Sequence, residues 1–263
     1  MNSDQTTRTF TFDVAQLAGL TVIAPEADLE IDHNADPGQV RIEVTASEPS
    51  YLDEALKAEE KDGRIELVIP PVLTTGKGAG FALQIGRTSV RFGHTAGVSA
   101  SVSIPPGTAL DLDGKTGDVT INGEGGRLRA RTTSGDLTLE SCSGGEITAG
   151  SGVVSLDEAP GETRIKTGSG EIRVETASGD LELASGSGDV ELGCLGSGRV
   201  TARTGSGDIT IGAKRGIPVW QDASTGTGDL DVQLSPRGEP TEGQPHLEIR
   251  ASSGSGDVTL TDA

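Results

Sequence analysis

The stretch that decides the fold is Ser178–Gly193, which reads SGDLELASGSGDVELG. It contains the phrase Ser-Gly-Asp-apolar-polar-apolar twice, nine residues apart. Alternation of apolar and polar residues is typical of a strand that buries one face. The glycine and aspartate before each strand are typical of tight turns, because glycine tolerates positive φ and aspartate bonds nearby backbone groups. Each unit therefore predicts one strand of about five residues and one corner.

The same phrase recurs throughout the second half of the chain. Degenerate copies fill the gaps, so that most phrase glycines lie nine or ten residues apart. A fixed period predicts a repeat architecture, and nine residues are too few for a βαβ crossover. Because every unit enters its strand with the same phrase, we expect two units to form a coil of about 18 residues that stacks into a single-chain parallel β-helix, or β-solenoid, of all-β class. The full copies are Thr116–Ile121, Ser134–Leu139, Ser169–Val174, Ser178–Leu183, Ser187–Leu192, Ser206–Ile211, Thr227–Val232 and Ser255–Leu260.

The two apolar positions of each unit predict the core of the solenoid. Aliphatic side chains fill a narrow core without aromatic residues, which make up only 2% of this chain. The residues expected to point inward are Val119, Ile121, Leu128, Ala130, Leu137, Leu139, Ile147, Ala149, Val154, Leu156, Ile172, Val174, Leu181, Leu183, Val190, Leu192, Ile209 and Ile211.

The chain divides into a less regular first part and a repetitive second part. We expect residues 1–108 to form an irregular β-rich N-terminal cap and residues 109–263 to form the solenoid. A run of helix formers predicts one short helix in the cap, at Tyr51–Lys61. A Pro/Gly-rich loop at 235–246 interrupts the repeat, and the strands that follow it are expected to close the stack. The cap strands are predicted at Phe10–Val14, Leu20–Ile23, Val40–Val44, Ile65–Ile69 and Val98–Ile104.

Composition and charge exclude several classes of protein. The 40 acidic residues outnumber the 21 basic ones, for a formal charge of −19. Such a surface repels a phosphate backbone, so we expect no nucleic-acid binding. No apolar run is long enough for membrane insertion, and the first residues lack the pattern of a secretory signal, so we expect a cytoplasmic protein. Cys142 and Cys194 fall about three coils apart, too far for a disulfide.

No motif of the sequence predicts catalysis, a cofactor or a metal site. No G-x-S-x-G elbow, P-loop or Rossmann fingerprint lies between a strand and a helix. His33, His94 and His246 stand apart without the spacing of metal ligands. A single Trp and a single Tyr provide no aromatic platform for sugar rings. We therefore predict that the chain is not an enzyme.

One corner of the predicted coil carries an acidic column. Like charges stacked about 5 Å apart repel by roughly 1 kcal/mol in water-like dielectric. These residues are either turn formers on a solvated edge or a column that binds divalent cations weakly or meets a basic partner. The column comprises Asp118, Asp136, Glu171, Asp189, Asp208 and Asp229.

Three features together resemble a known bacterial family. They are Thr9–Phe12 (TFTF), then Val98–Ile121 (VSASVSIPPGTALDLDGKTGDVTI), then the iterated phrases. The combination resembles the putative adhesins, which are β-strand-repeat proteins otherwise filed as a domain of unknown function. The resemblance covers nearly the whole chain. It implies a β-helical fold and a surface or scaffold role, and it supplies no catalytic residues.

The resulting functional prediction is a non-enzymatic, adhesin-like β-solenoid that acts as a binding or scaffold and assembly module. Its expected partner is another protein or a second copy of itself. One alternative is an acidic mimic of nucleic acid that occupies a basic partner protein. The least favoured alternative is a glycan-active enzyme on a β-helical frame.

Overall fold

The computed structural model describes residues 6–47, 56–71, 82–85, 88–91, 97–235 and 245–263. In these ranges the regular structure is entirely β, and no helix is present that could cross a membrane. The strands are β1 (Thr6–Asp13), β2 (Gly19–Glu26), β3 (Asp28–Asp32), β4 (Gln39–Ala46), β5 (Lys57–Lys61), β6 (Arg64–Val68), β7 (Ala82–Ile85), β8 (Thr88–Arg91), β9 (Val98–Ser103), β10 (Leu110–Thr116), β11 (Val119–Thr132), β12 (Leu137–Ala149), β13 (Val154–Ala159), β14 (Thr163–Thr167), β15 (Ile172–Ala177), β16 (Leu181–Ser185), β17 (Val190–Leu195), β18 (Gly198–Ser206), β19 (Ile209–Ala213), β20 (Val219–Thr227), β21 (Leu230–Gln233), β22 (Leu247–Ser255) and β23 (Val258–Asp262).

The strands from β10 onward wind into parallel coils, as predicted. Two ladders build the two faces of the coil stack. The first face contains β3, the first parts of β11 and β12, and then β13, β15, β17 and β19. The second face contains β2, β10, the last parts of β11 and β12, and then β14, β16 and β18. Along the first face, Val119 pairs with Leu137 and Leu137 with Val154, and successive partners lie 17–19 residues apart.

The core is the aliphatic column that the alternation predicted. All of the residues expected to point inward are buried, from Val119 at 3% exposure to Ile211 at 0%. Each fully buried Val, Leu or Ile stabilises the fold by about 1.5–3 kcal/mol relative to an exposed position. Because each coil packs only on its neighbours, this stabilisation accumulates coil by coil.

The corner that leads into the first face is built from glycines stacked directly on one another. A Cβ at Gly135, Gly152, Gly170 or Gly188 would lie 2.0–2.2 Å from the carbonyl oxygen of the glycine one coil below. Gly135 and Gly152 have positive φ, but Gly170 and Gly188 do not. The turn chemistry predicted from the sequence therefore explains only part of this column, and the close approach of successive coils explains the rest.

The strands predicted in residues 1–108 are confirmed by β1, β2, β4, β6 and β9, although β2 belongs to the first parallel coil. The cap differs from the solenoid in strand direction: β1 pairs with β4 and β4 with β9 in antiparallel fashion, and β5 pairs with β6 in the same way. Parallel pairing of β9 with β3 and of β6 with β2 joins the cap to the first coil.

The predicted helix at Tyr51–Lys61 is wrong where the structure describes it. Residues 51–55 lie outside the described ranges, and Lys57–Lys61 forms β5. Asp62 and Gly63 both have positive φ, at 53° and 75°, and connect β5 to β6 as a two-residue hairpin turn. An Asp-Gly pair strongly favours such a turn, and here the hairpin overrides the helix propensity of the residues before it.

The last coils do not stack in chain order. We expected the final strands to close the stack, but β22 lies between β18 and β20, and β23 lies between β19 and β21. The coil β20–β21 is therefore outermost. Residues 214–218 connect β19 to β20, which lies two coil positions further along the stack. The strands β22 and β23, which follow β21 in sequence, occupy the position between them. The predicted loop at 235–246 falls in that connection, and its residues 236–244 lie outside the described ranges.

Candidate binding surfaces

The predicted acidic column lies along the glycine corner, where most of its carboxylates bond the backbone of the next coil. Asp118 accepts the N–H of Asp136 at 2.9 Å, and Asp189 accepts the N–H of Asp208 at 2.8 Å. The same contact joins Asp136 to the N–H of Val153 at 2.8 Å. Each such hydrogen bond gives a stacked carboxylate a donor that offsets the repulsion from its neighbours.

The structure changes the membership of this column at both ends. Asp28 precedes Asp118, whose N–H it accepts at 3.1 Å. Asp257 stands between Asp208 and Asp229, because the coil that carries it is inserted there. Glu171 makes a different contact: its carboxylate pairs with Arg173 at 2.7 Å. Sequence reasoning missed Asp257 as a neighbour of Asp208 because it assumed that coils stack in chain order.

The hydrogen bonds of the column run between successive coils and not within one turn. The carboxylate oxygens named above accept backbone N–H groups, and the described residues contain no group of three or more His, Cys, Asp or Glu side chains that could hold a metal ion. Weak binding of divalent cations by the column stays a prediction.

A second ladder, of hydroxyl groups, lies inside the same corner. Thr167 and Ser185 both donate to the carbonyl oxygen of Gly170, at 2.9 and 3.1 Å. Thr204 donates to Gly188 O at 3.0 Å in the next level. These buried hydroxyls satisfy carbonyl groups of the corner. Each of these residues lies two positions before the serine of a repeated phrase, and the sequence analysis did not single them out.

The outward side of the second face, which we call the charged face, carries charges of alternating sign. One column runs Asp111, Arg129, Glu146, Arg164 and Glu182 in successive coils. Arg164 forms an ion pair with Glu182 at 2.6 Å. Since both partners are about half exposed, such a pair contributes little to stability, typically about 0–1 kcal/mol.

A second ion-paired group lies further along the charged face. Arg199 bonds Glu248 at 2.9 Å, and Arg250 reaches the other oxygen of that carboxylate at 2.8 Å. The hydrogen bond from Arg199 lowers the pKa of the Glu248 carboxyl, and the same bond raises the pKa of Arg199. The charged face is therefore partly neutralised by its own carboxylates.

Three cations in one column of the charged face have no ion-pair partner among the described residues. Arg131, Lys166 and Arg203 are exposed and lie in one column, with Thr148 and Ala184 between them. We call these three residues the basic stripe. Two coil steps of about 4.8 Å separate consecutive members, so the charges recur about every 10 Å.

A groove of about 330 Å³ lies beside the basic stripe. Leu181, Thr163 and Thr201 line it together with Arg203 of the stripe. Arg164, Glu182 and Arg199 supply much of the remaining lining. The groove is therefore shallow, polar and charged.

The first face is different in charge. Its outward column reads Thr120, Thr138, Ser155, Arg173, Glu191 and Thr210, and Arg173 is already paired with acidic side chains. The basic stripe thus gives the second face a column of unpaired cations that the outward column of the first face lacks, in a protein whose formal charge is −19.

The cysteines and the described histidine of the cap are structural. Cys142 and Cys194 are free thiols, as expected, and burial raises the pKa of the Cys142 thiol. His33 is buried with its ring nitrogens 3.2 and 3.4 Å from the carbonyl oxygens of Asn122 and Thr108. His94 lies outside the described ranges.

Solved structures are similar to this chain at low sequence identity. The chain is similar to a protein from Parabacteroides distasonis described as a putative lipid binding protein, with 14% identity, a TM-score of 0.58, and coverage of 97% of this chain and 96% of that one. It is also similar to a putative adhesin from Parabacteroides merdae, with 12% identity, a TM-score of 0.46 and coverage of 98% and 97%. A putative adhesin from Bacteroides fragilis has 14% identity, a TM-score of 0.44 and coverage of 97% of both chains. No functionally curated protein matches the chain in sequence.

The resemblance inferred from the repeated phrase is confirmed at the level of the family. The sequence profile of Toastrack DUF4097, a domain of unknown function, matches residues 20–261, which is nearly the whole chain. The chain therefore belongs to the Toastrack DUF4097 family.

Proposed function

We propose that the chain is a non-enzymatic binding module that presents its charged face to an acidic region of a partner protein. The observation that carries this proposal is the basic stripe, three exposed and unpaired cations in one column of a strongly acidic protein. At physiological ionic strength the Debye length is about 8 Å, so a partner that docks here responds to the local charges more than to the net charge.

The architecture supports a binding role for this face. Parallel strands fix the three cations at regular intervals, so little conformational freedom of the backbone is lost when an extended partner docks. The adjacent groove offers Arg203 together with the small residues Thr163 and Thr201 as a place for a side chain of the partner. Complementary charge across such an interface contributes mainly to association rate and specificity.

Binding to immobilised poly-glutamate tests the proposal. The variant Arg131→Ser/Lys166→Ser/Arg203→Ser removes three positive charges from the stripe. The matched control Thr120→Asp/Thr138→Asp/Thr210→Asp changes the net charge by the same amount on the first face. We expect the stripe variant to bind about tenfold more weakly, because exposed ion pairs contribute about 0.2–1 kcal/mol each.

The control and the salt dependence complete the test. The control variant should bind poly-glutamate as tightly as the wild type does. Raising the salt concentration should weaken the binding of the wild type and of the control variant. Equal losses in the two variants would show that only the net charge matters, which contradicts the proposal. Stronger binding to phosphatidylserine vesicles than to poly-glutamate would point to a membrane surface instead of a protein. Cross-linking mass spectrometry would then identify the partner of the native chain.

A further inference from the structure

The exposed large hydrophobic side chains of the described residues all lie in one coil. They are Trp220, Leu230 and Val232, with 48%, 49% and 39% of their surfaces exposed. All three belong to β20 and β21, the coil that is outermost in space. Exposed apolar residues gathered at one place on a soluble domain commonly mark an interaction surface.

The part of the chain that the structure describes also places no backbone partner on the outer side of this coil. Along the first face, the leading residue of each strand donates its N–H to the next coil: Ile209 to Asp257 O, then Val258 to Asp229 O, each at 2.9 Å. Leu230 is next in this series, and the described residues contain no further strand to accept its N–H. On the second face, Leu247 donates to Pro218 O, and Val219 has no strand beyond it.

Among the described residues, no segment covers the end of the core at this coil. Leu230 stacks on Val258 and Val232 stacks on Leu260, so both continue the buried aliphatic columns to the end of the solenoid. Residues 236–244, which follow in the chain, include no aliphatic or aromatic residue that could supply an apolar cover.

The opposite end of the solenoid has two edge strands, β5 on the second face and β1 on the first. Its edge strand β5 has the sequence KAEEK, and charged residues on an edge strand oppose pairing with another chain. The described antiparallel strands β4 and β1 continue the first face at that end. The edge strand β1 carries fewer charges, but its Phe10 and Phe12 are half-buried against the core. Among the described residues, exposed large hydrophobic side chains therefore occur only at the end formed by β20 and β21.

We propose that β20 and β21 form a homodimer interface with the same coil of a second copy. A two-fold axis perpendicular to the solenoid brings the two outer edges together in antiparallel orientation, so that the free N–H and C=O groups of each edge find partners on the other. Leu230 and Val232 of both copies then close the core, and Trp220 lies at the rim, with Arg250 over its ring at 5.5 Å.

The same geometry sets the size and the strength of the assembly. Because the interface uses the same patch on both copies, two chains close it, and assembly through this end stops at a dimer. The end of a solenoid is small compared with the roughly 800 Å² per partner of a standard interface, so the dimer is weak and depends on concentration. Asp222, Asp229 and Asp231 surround the interface on both copies, so salt strengthens the dimer by screening their repulsion.

Sedimentation velocity of the full chain over a concentration series tests this proposal. We expect a shift from the 26.8 kDa monomer towards twice that mass below about 1 mM, and a stronger shift at higher salt. Trp220 is the only tryptophan of the chain, so its fluorescence should move to shorter wavelength over the same concentrations. A monomer at every concentration, a filament, or a fluorescence change that ignores concentration would overturn the proposal.

Two variants and a matched control separate the interface from other surfaces. Leu230→Lys/Val232→Lys places charges at the open end and should weaken the dimer about a hundredfold or more. Thr138→Lys/Thr210→Lys adds the same charge on the first face and should leave it unchanged. Val232→Pro removes an N–H at the outer edge and should also weaken the dimer, so the test does not depend on the lysine variant alone. Dimerisation unaffected by either end variant would contradict the proposal. None of these three variants changes the charged face, so their binding to poly-glutamate tests the proposed function independently of the dimer.

Discussion

Replacing Gly170 by alanine should strongly destabilise the solenoid. The added Cβ would lie 2.0 Å from Gly152 O, whereas an ordinary contact begins at 3.4 Å. The two coils must therefore separate by about 1.4 Å at this corner. Such a separation disrupts the hydrogen bonds from Val154 N to Glu171 O and from Ser169 N to Gly150 O, each 2.9 Å long.

The expected loss follows from these contacts. Two or three hydrogen bonds at about 1 kcal/mol each give a destabilisation of about 3 kcal/mol, which is at the upper end of typical overpacking costs. For a chain of this size, the midpoint of thermal unfolding should fall by roughly 6–12 °C. Circular dichroism at far-ultraviolet wavelengths, followed during heating and during denaturant titration, measures both quantities.

Two other glycines provide the controls. Gly107 has φ of +72° and no atom within 4 Å of an added Cβ, so Gly107→Ala reports only the left-handed backbone and should cost about 1–2 kcal/mol. Gly114 has neither positive φ nor a contact closer than 3.6 Å, so Gly114→Ala should be neutral or stabilise by up to about 1 kcal/mol. If Gly170→Ala unfolds at the same denaturant concentration as Gly114→Ala, the stacking argument is refuted.

Three further predictions concern side chains. Asp189→Ala should lower stability by about 1–2 kcal/mol and Asp189→Asn by less, because the amide oxygen can still accept the N–H of the next coil; equal denaturation midpoints for the two variants would contradict this. Cys194 should react with a thiol reagent well before Cys142, whose raised pKa and burial keep it protonated and covered, and a single rate for both thiols in a stopped-flow assay would be inconsistent with that geometry. Arg199→Gln should lower the free energy of unfolding at neutral pH. The difference from the wild type should vanish as the pH falls through the lowered pKa of Glu248, because the pair stabilises the fold only while that carboxyl is ionised. If denaturant titrations give a difference that does not depend on pH, the ion pair is not the source of the lost stability.

The coil and its core could be predicted from the sequence because both depend on short repeating patterns of residues. Alternation fixes which residues point inward, and a repeat near 18 residues fixes which of them stack, so the burial of Val119 or Ile211 needed no knowledge of the rest of the chain. The glycine phrase likewise located the corners. The steric requirement for glycine at position 170 could not be predicted, because it depends on the distance between two coils and not on the sequence of one unit.

The order of the last coils could not be obtained in this way. The coils β20–β21 and β22–β23 carry the same phrase, at Thr227–Val232 and Ser255–Leu260, so either fits on β18 and β19 by local pattern. The hairpin at Asp62–Gly63 is a different case, because its turn signal was present in the sequence and was outweighed by the helix formers before it.

The charged face was also hidden from sequence reasoning. Arg131, Lys166 and Arg203 are separated by more than thirty residues each, with an acidic background between them. They meet in one column only when the exact residue pairing of β11, β12, β14, β16 and β18 is known. Charge patterns of this kind require the register of every intervening coil.

The insertion of β22 and β23 beneath β20 and β21 has a consequence for biosynthesis. The ribosome releases β20 and β21 before the strands on which they finally rest, so the vacant level beneath them must be kept open or reopened when β22 and β23 emerge. A nascent chain paused just after β21 can instead settle those strands directly on β18 and β19. After translation is complete, β22 and β23 must then replace β20 and β21 on β18 and β19. The rate of this last folding step is set by how fast β20 and β21 dissociate from that position.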